Sequence, residues 1–362
     1  MAFNLTVKYR LITLLIVLAA YCSCTKEEYV TIDSKPVVAD LTQVPYPKLS
    51  DYNFFEGALK NLKPSFGVIP YKPVTELFSD YALKKRFVWM PNGNKATYVN
   101  DYSVLNLPVG TVLIKVFYYN NVQPSNSTKI IETRIMIRKS TGWIFANYIW
   151  NDEQTDALLT TQSTARDLSW KDDNNLIHTL NYRTPEVDFE CLRCHSTFNN
   201  QIINPIGIKP QNINYNFNYA DGSKNQLDKL IEFGYLENNI PDQINSTVDF
   251  NDTSKSLDLR VRSYFDANCA HCHENGGEAS SHNLRFAFNE TINPMKMGVS
   301  AHAAHYLEGY NNVTVTPGNV NLSILHYRMN TENDLLYIMP PLTRTKRHTE
   351  ALQLIETWIN SL

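Results

Sequence analysis

Two five-residue runs, CLRCH (191–195) and CAHCH (269–273), constrain this chain more than any other feature. Both have the order C-x-x-C-H. Positions i, i+3 and i+4 of a helical turn share one face, so each run presents two thiols and one imidazole together. A fold that accommodates this sequence must therefore build two such triples and leave room beside each.

The redox setting bears on what the triples hold. Lys8 and Arg10 precede LITLLIVLAA (11–20), followed by YCSC (21–24). A basic start, an apolar stretch of about 10 residues and small residues after it read as an export signal, too short for a membrane span. A cysteine at the cleavage point resembles a bacterial lipoprotein signal. Ser23 before Cys24 suits the site better than Tyr21 before Cys22, which predicts lipidation at Cys24 and a signal peptide over 1–23. The expected location is the cell envelope, periplasmic or attached to the outer membrane or cell surface. Without Cys22 and Cys24, the six cysteines reduce to the four in the two runs. An exported protein normally spends a quartet on two disulfides, but disulfides give no reason for a histidine after each pair.

C-x-x-C-H is the attachment sequence for c-type haem. Two thiols on one face can add to the two porphyrin vinyl groups, and the following imidazole reaches the iron. The reading predicts two covalent haem c groups on Cys191, Cys194, Cys269 and Cys272, with His195 and His273 as iron ligands. Zinc is the competing reading; it wants four ligands, which the two runs can supply only by pooling. A thioredoxin-like pair needs only the cysteines. His271 reads as an ordinary variable position, since the ligand role falls to His273.

Downstream of the second run, PGNVNLSILHYRM (317–329) and YIMPPL (337–342) lead into a C-terminal helix, an order that resembles a class I cytochrome c domain. That resemblance makes Met339 the second axial ligand, with Met329 behind it. Apolar stripes predict helices at 256–268 (Leu257, Val261, Tyr264, Phe265) and 350–359 (Leu352, Ile355, Trp358, Ile359). Residues 221–236 read as a further helix stopped at Gly234.

No methionine or further histidine lies between His195 and Cys269. Candidates for a second ligand at the first haem are His178, Met136, Lys209, Met90, Met295 and Met297; each has an ordinary structural explanation, and the site can equally be left open. Residues from about 30 to 184 carry no cysteine and no catalytic cluster, so no catalytic residue is predicted. There, 110–120, 129–139 and 142–151 read as strands. Alternation over 129–139 puts Met136 on a face with Glu132, Arg134 and Arg138, away from the apolar residues. Lys84, Lys85 and Arg86 form a small basic group of ordinary surface character. A net charge of -3 without a basic block gives no sign of a nucleic-acid partner.

As a whole, the sequence resembles a group of bacterial dihaem c-type cytochromes of unknown role. The likeness rests on LFSDYALKKRFVWMPNG (77–93), LPVGTVLIKVFYY (107–119), ETRIMIR (132–138), YIWNDEQTDA (148–157), the two C-x-x-C-H runs and NPIGIKPQNIN (204–214). It implies a multidomain chain: a β-rich non-haem domain with an N-terminal tether over 24–184, a first haem-binding segment over 185–250, and a mainly α, class I cytochrome c-like domain over 251–362. The expected function is electron transfer in the cell envelope between redox partner proteins, with membrane attachment through Cys24. The alternative is a dihaem peroxidase-like enzyme whose first haem is the open, reactive site. Known dihaem peroxidases separate their two runs by well over a hundred residues; here the spacing is about 80, which favours the carrier.

Overall fold

A computed structural model describes residues 35–342 and 344–362. The expected signal peptide, Cys22 and Cys24 lie outside the described residues. Residues 36–362 form one compact unit, dominated by an eight-stranded antiparallel sheet. Its strands are β1 (Ile69–Tyr71), β2 (Leu83–Trp89), β3 (Val112–Val122), β4 (Ser127–Lys139), β5 (Gly142–Trp150), β6 (Ala157–Thr160), β7 (Ala165–Lys171) and β8 (Ile177–Arg183). They pair in the order β1 to β6, while the β7–β8 hairpin attaches at the end of β3 through Val122 and Trp170. The central strands are rich in β-branched and aromatic residues, which suit a pleated, packed surface.

Both faces of this sheet are covered. On one, Ile114, Val116, Ile135, Ile137, Ala146 and Tyr148 pack under the N-terminal segment of Leu49, Tyr52 and Phe54. On the other, Val88, Leu113 and Met136 pack with Ile208, Ile213, Leu227 and Leu230. Met136 is therefore a buried residue, contrary to the alternation argument. A sheet clad on both sides buries both residue sets, and alternation then separates two interiors rather than inside from outside.

Six helices occur among the described residues: α1 (Val187–His195), α2 (Pro210–Ile213), α3 (Gln226–Glu232), α4 (Leu257–Asn268), α5 (Ile324–Asn330) and α6 (Thr349–Ser361). All are short. The expectation of a separate, mainly α cytochrome c-like region is overturned: the molecule is mostly β-sheet, and its latter half is loops and short helices. Residues between α4 and α5 include NGGEASSHN and NETINPMKMG, whose Gly, Asn, Ser and Pro favour turns over helix. The helix expected from residue 221 starts later, at Gln226, because Gly222–Asn225 pairs with Asn216–Tyr219 as a hairpin. Asn225 then caps α3, its side chain accepting the Leu227 N–H.

α4 and α6 do form where their stripes place them. Ser256 caps α4 by accepting the Leu259 N–H, and Phe265 meets the Trp358 ring edge-on at 5.9 Å. They share a third core cluster with Val261, Tyr264, Leu352 and Ile355. No helix among the described residues is long and apolar enough to cross a membrane.

Candidate cofactor-binding site

CLRCH occupies the last turn of α1, which packs on β5. The helical spacing brings Cys191, Cys194 and His195 to one cavity of about 180 Å³ between α1 and the sheet. His195 Nδ1 stands 2.9 Å from the carbonyl oxygen of Asn204, and Phe145 meets its ring edge-on at 5.4 Å. A backbone acceptor on Nδ1 fixes the tautomer and leaves Nε2 free to bind a metal. Burial pushes the His195 pKa down to about 4, keeping the imidazole neutral.

CAHCH follows α4. Cys269 donates its N–H to Phe265 at 2.8 Å, and His273 donates its N–H to Cys269 at 3.1 Å, so the run is a hydrogen-bonded turn beyond the helix end. Cys269, Cys272 and His273 line a second cavity of about 930 Å³. Met329 and Met339 line the same cavity. Burial pushes the His273 pKa down to about 4, and its buried Nδ1 has no hydrogen-bond partner among the described residues. Phe286 meets its ring edge-on at 5.0 Å.

The two runs touch. Ligand atoms of Cys194, His271 and Cys272 all lie within 4.8 Å of one another. Cys272 Sγ is 3.8 Å from the Arg193 carbonyl oxygen, and the Arg193 Nε–H donates to Glu278 Oε1 at 2.8 Å. Sharing a hydrogen bond with Cys272, helped by nearby His271, holds the Cys194 thiol below its ordinary pKa and pushes that of Cys272 up. Burial raises Cys191 to about 11 and Cys269 to about 12. His271 thus belongs to the site. The only sign of it in the sequence is a second imidazole inside the run.

Of the candidates for a second ligand at the first run, Met136 and Lys209 line the cavity that holds His195, although Lys209 Nζ is also 3.4 Å from Asp266. His178 is elsewhere, bound to Asp172 at 2.9 Å and stacked on Trp170. Met90 is a core residue of the same cluster as Met136 and Met297 one of the third cluster, neither of them lining the first cavity, and Met295 lines the second cavity. In the basic group, Arg86 is buried and paired with Glu76 rather than part of the wet surface.

These residues can be tested against a pair of covalent porphyrins. The donor sets fit at both runs: two thiols, one neutral imidazole, and a thioether sulfur on the same cavity. Cofactor pockets commonly measure about 300–1,000 Å³, a range that includes the second cavity. The first is smaller, so at CLRCH it is the donor set and its oriented histidine that match. No family model matches the chain, and no curated protein or solved structure is found to be similar to it.

Proposed function

We propose that the chain is a dihaem c-type cytochrome that transfers electrons in the cell envelope. The observation that carries this reading is that each Cys-Cys-His triple lines a cavity together with a methionine sulfur: Met136 on the first, smaller one and Met339 on the second. Bound haem supplies one-electron chemistry at its iron. The protein's residues do the rest. Cys191, Cys194, Cys269 and Cys272 would anchor the haem; His195 and His273 present neutral nitrogens; Phe145 and Phe286 pack edge-on against the imidazoles. Methionine ligation beside the histidine would raise a haem's reduction potential, which suits an electron acceptor. The contact between Cys194 and Cys272 sets the two attachment points side by side, a short route between redox groups. The electron donor and acceptor are proposed to be partner proteins, and the membrane attachment a lipid on Cys24.

The test is expression in a host with cytochrome c assembly machinery. Intact mass should exceed the apoprotein by two haems and the band should stain for haem on a denaturing gel. Paired Cys→Ala changes at 191/194 or at 269/272 should each remove one. Absence of both mass gain and stain ends this reading.

A second reading follows from the cluster of Cys194, His271 and Cys272: a single transition metal held by both runs together. Three ligands with an open fourth position are a known zinc arrangement. Elemental analysis showing one zinc per chain and no haem would favour it.

A further inference from the structure

The face of the sheet that lines the first cavity carries an unusual row. Cross-strand pairs place Arg86 beside Lys115, Lys115 beside Arg134, and Arg134 beside Asn147, on β2, β3, β4 and β5 in turn. All four line the cavity. Like charges directly opposite one another destabilise a sheet, and here three basic residues stand in succession; burial, with Arg86 and Arg134 beside it, pushes the Lys115 pKa well below its ordinary value. Two have acidic partners, Arg86 with Glu76 and Arg134 with Glu132. Among the described residues Lys115 has no acidic partner; its Nζ rests over the Phe117 ring at 4.8 Å. Asn147 is 2% exposed, yet neither its amide oxygen nor its amide nitrogen has a hydrogen-bond partner, and Arg134 Nε is also buried and unpartnered. Leaving buried polar groups unsatisfied is costly, so two buried donors without acceptors on one cavity, Asn147 Nδ2 and Arg134 Nε, point to a missing acceptor.

We propose that the row Arg86, Lys115, Arg134 and Asn147 binds one small oxyanion or carboxylate between the sheet and α1. Arg86 and Arg134 already have carboxylate partners, so the anion's place is beside Lys115, whose charged form it would favour; its oxygens accept from Lys115 Nζ, Arg134 Nε and Asn147 Nδ2. The cavity, at about 180 Å³, has room for a group of that size. Two sources supply this chemistry: a free small anion, or a propionate of a haem attached at Cys191 and Cys194. The second source rests on the proposed function. The first does not.

The experiment uses the full chain matured in the haem-attaching host, with sodium formate as the probe. Four proteins are compared by calorimetric titration, thermal melting and optical redox titration: wild type, Asn147→Asp, Lys115→Met and Lys115→Arg. If a free anion is the occupant, wild type binds one formate per chain and Lys115→Met binds it at least tenfold more weakly. Lys115→Arg retains binding. Asn147→Asp, which places a carboxylate in the row, loses binding and melts higher than wild type without formate. If a propionate is the occupant, wild type takes up no formate, but Asn147→Asp and Lys115→Met lower the midpoint potential of the same haem while Lys115→Arg leaves it unchanged. No formate uptake together with unmoved potentials overturns the proposal. Haem content is measured on each sample: formate binding by a chain without haem keeps this site and ends the cytochrome reading, whereas neither haem nor formate uptake ends both.

Discussion

Phe198 donates its backbone N–H to the carbonyl oxygen of Gly276 at 2.7 Å, tying the segment after the first run to the segment after the second. Gly276 has φ +77°, and a Cβ there would lie 2.8 Å from the Phe198 ring. Both features exclude a side chain. Gly276→Ala is expected to lower stability by about 1–3 kcal/mol, read by chemical denaturation. Arg193→Ala removes the neighbouring, partly exposed pair with Glu278 and is expected to cost under about 1 kcal/mol. The reverse ranking would show that the backbone contact does not hold the two runs together.

Met339 and His273 line one cavity, which Met329 and Met295 line as well; the proposed function takes Met339 as the methionine that would meet a haem there. Met339→Ala should leave the covalent haem count at two, convert one haem from low-spin to high-spin in the optical spectrum, and lower its potential. Met329→Ala serves as the contrast. Met329 is buried in the third core cluster, so its loss should cost about 2–5 kcal/mol of stability and leave the spin state alone. If Met329→Ala changes the spin state and Met339→Ala does not, the assignment moves to Met329.

Glu76 gives the fold a defined acid limb. Burial by itself would raise its pKa, but Arg86, Lys72 and Lys84 outweigh burial and bring it from 4.5 down to about 2. An acid whose pKa is depressed on folding contributes stability that is complete above its unfolded value and is lost as pH falls through the folded one. Stability should therefore decline between about pH 4.5 and pH 2, and Glu76→Gln should flatten that part of the curve. At neutral pH the same change leaves Arg86, 6% exposed, without its partner and is expected to cost about 3 kcal/mol. Urea melts of both proteins across the acid range provide the measurement.

Membrane attachment is tested at Cys24. Cys24→Ser should move the protein from the membrane fraction to the soluble extract of the envelope, with haem content unchanged. Cys22→Ser should leave its distribution as in wild type. An unaltered distribution of Cys24→Ser would remove the lipid anchor from the account.

Several elements could be read locally. The strands over 112–122, 127–139 and 142–150 announce themselves through β-branched and aromatic runs broken by Asn, Gly and Pro. α4 and α6 follow from apolar stripes of helical period. Other features could not be read. Met136 looks solvent-facing in an alternating strand, and only the covering of both sheet faces makes it a cavity residue. The mainly α region expected after residue 184 came from the resemblance to class I cytochromes c, not from a helical period in the loops between α4 and α6. The Gly- and Asn-rich composition of those loops already argued against it.

The identity and spacing of the sulfur and imidazole donors are settled by the covalent sequence, since three residues within one turn meet whatever the rest of the chain does. That Cys194 approaches Cys272, that His271 joins them, and that Lys115 and Asn147 share a row are decided by strand register and by the docking of α1 on the sheet. Such relationships depend on contacts between distant parts of the chain, and no local periodicity carries them.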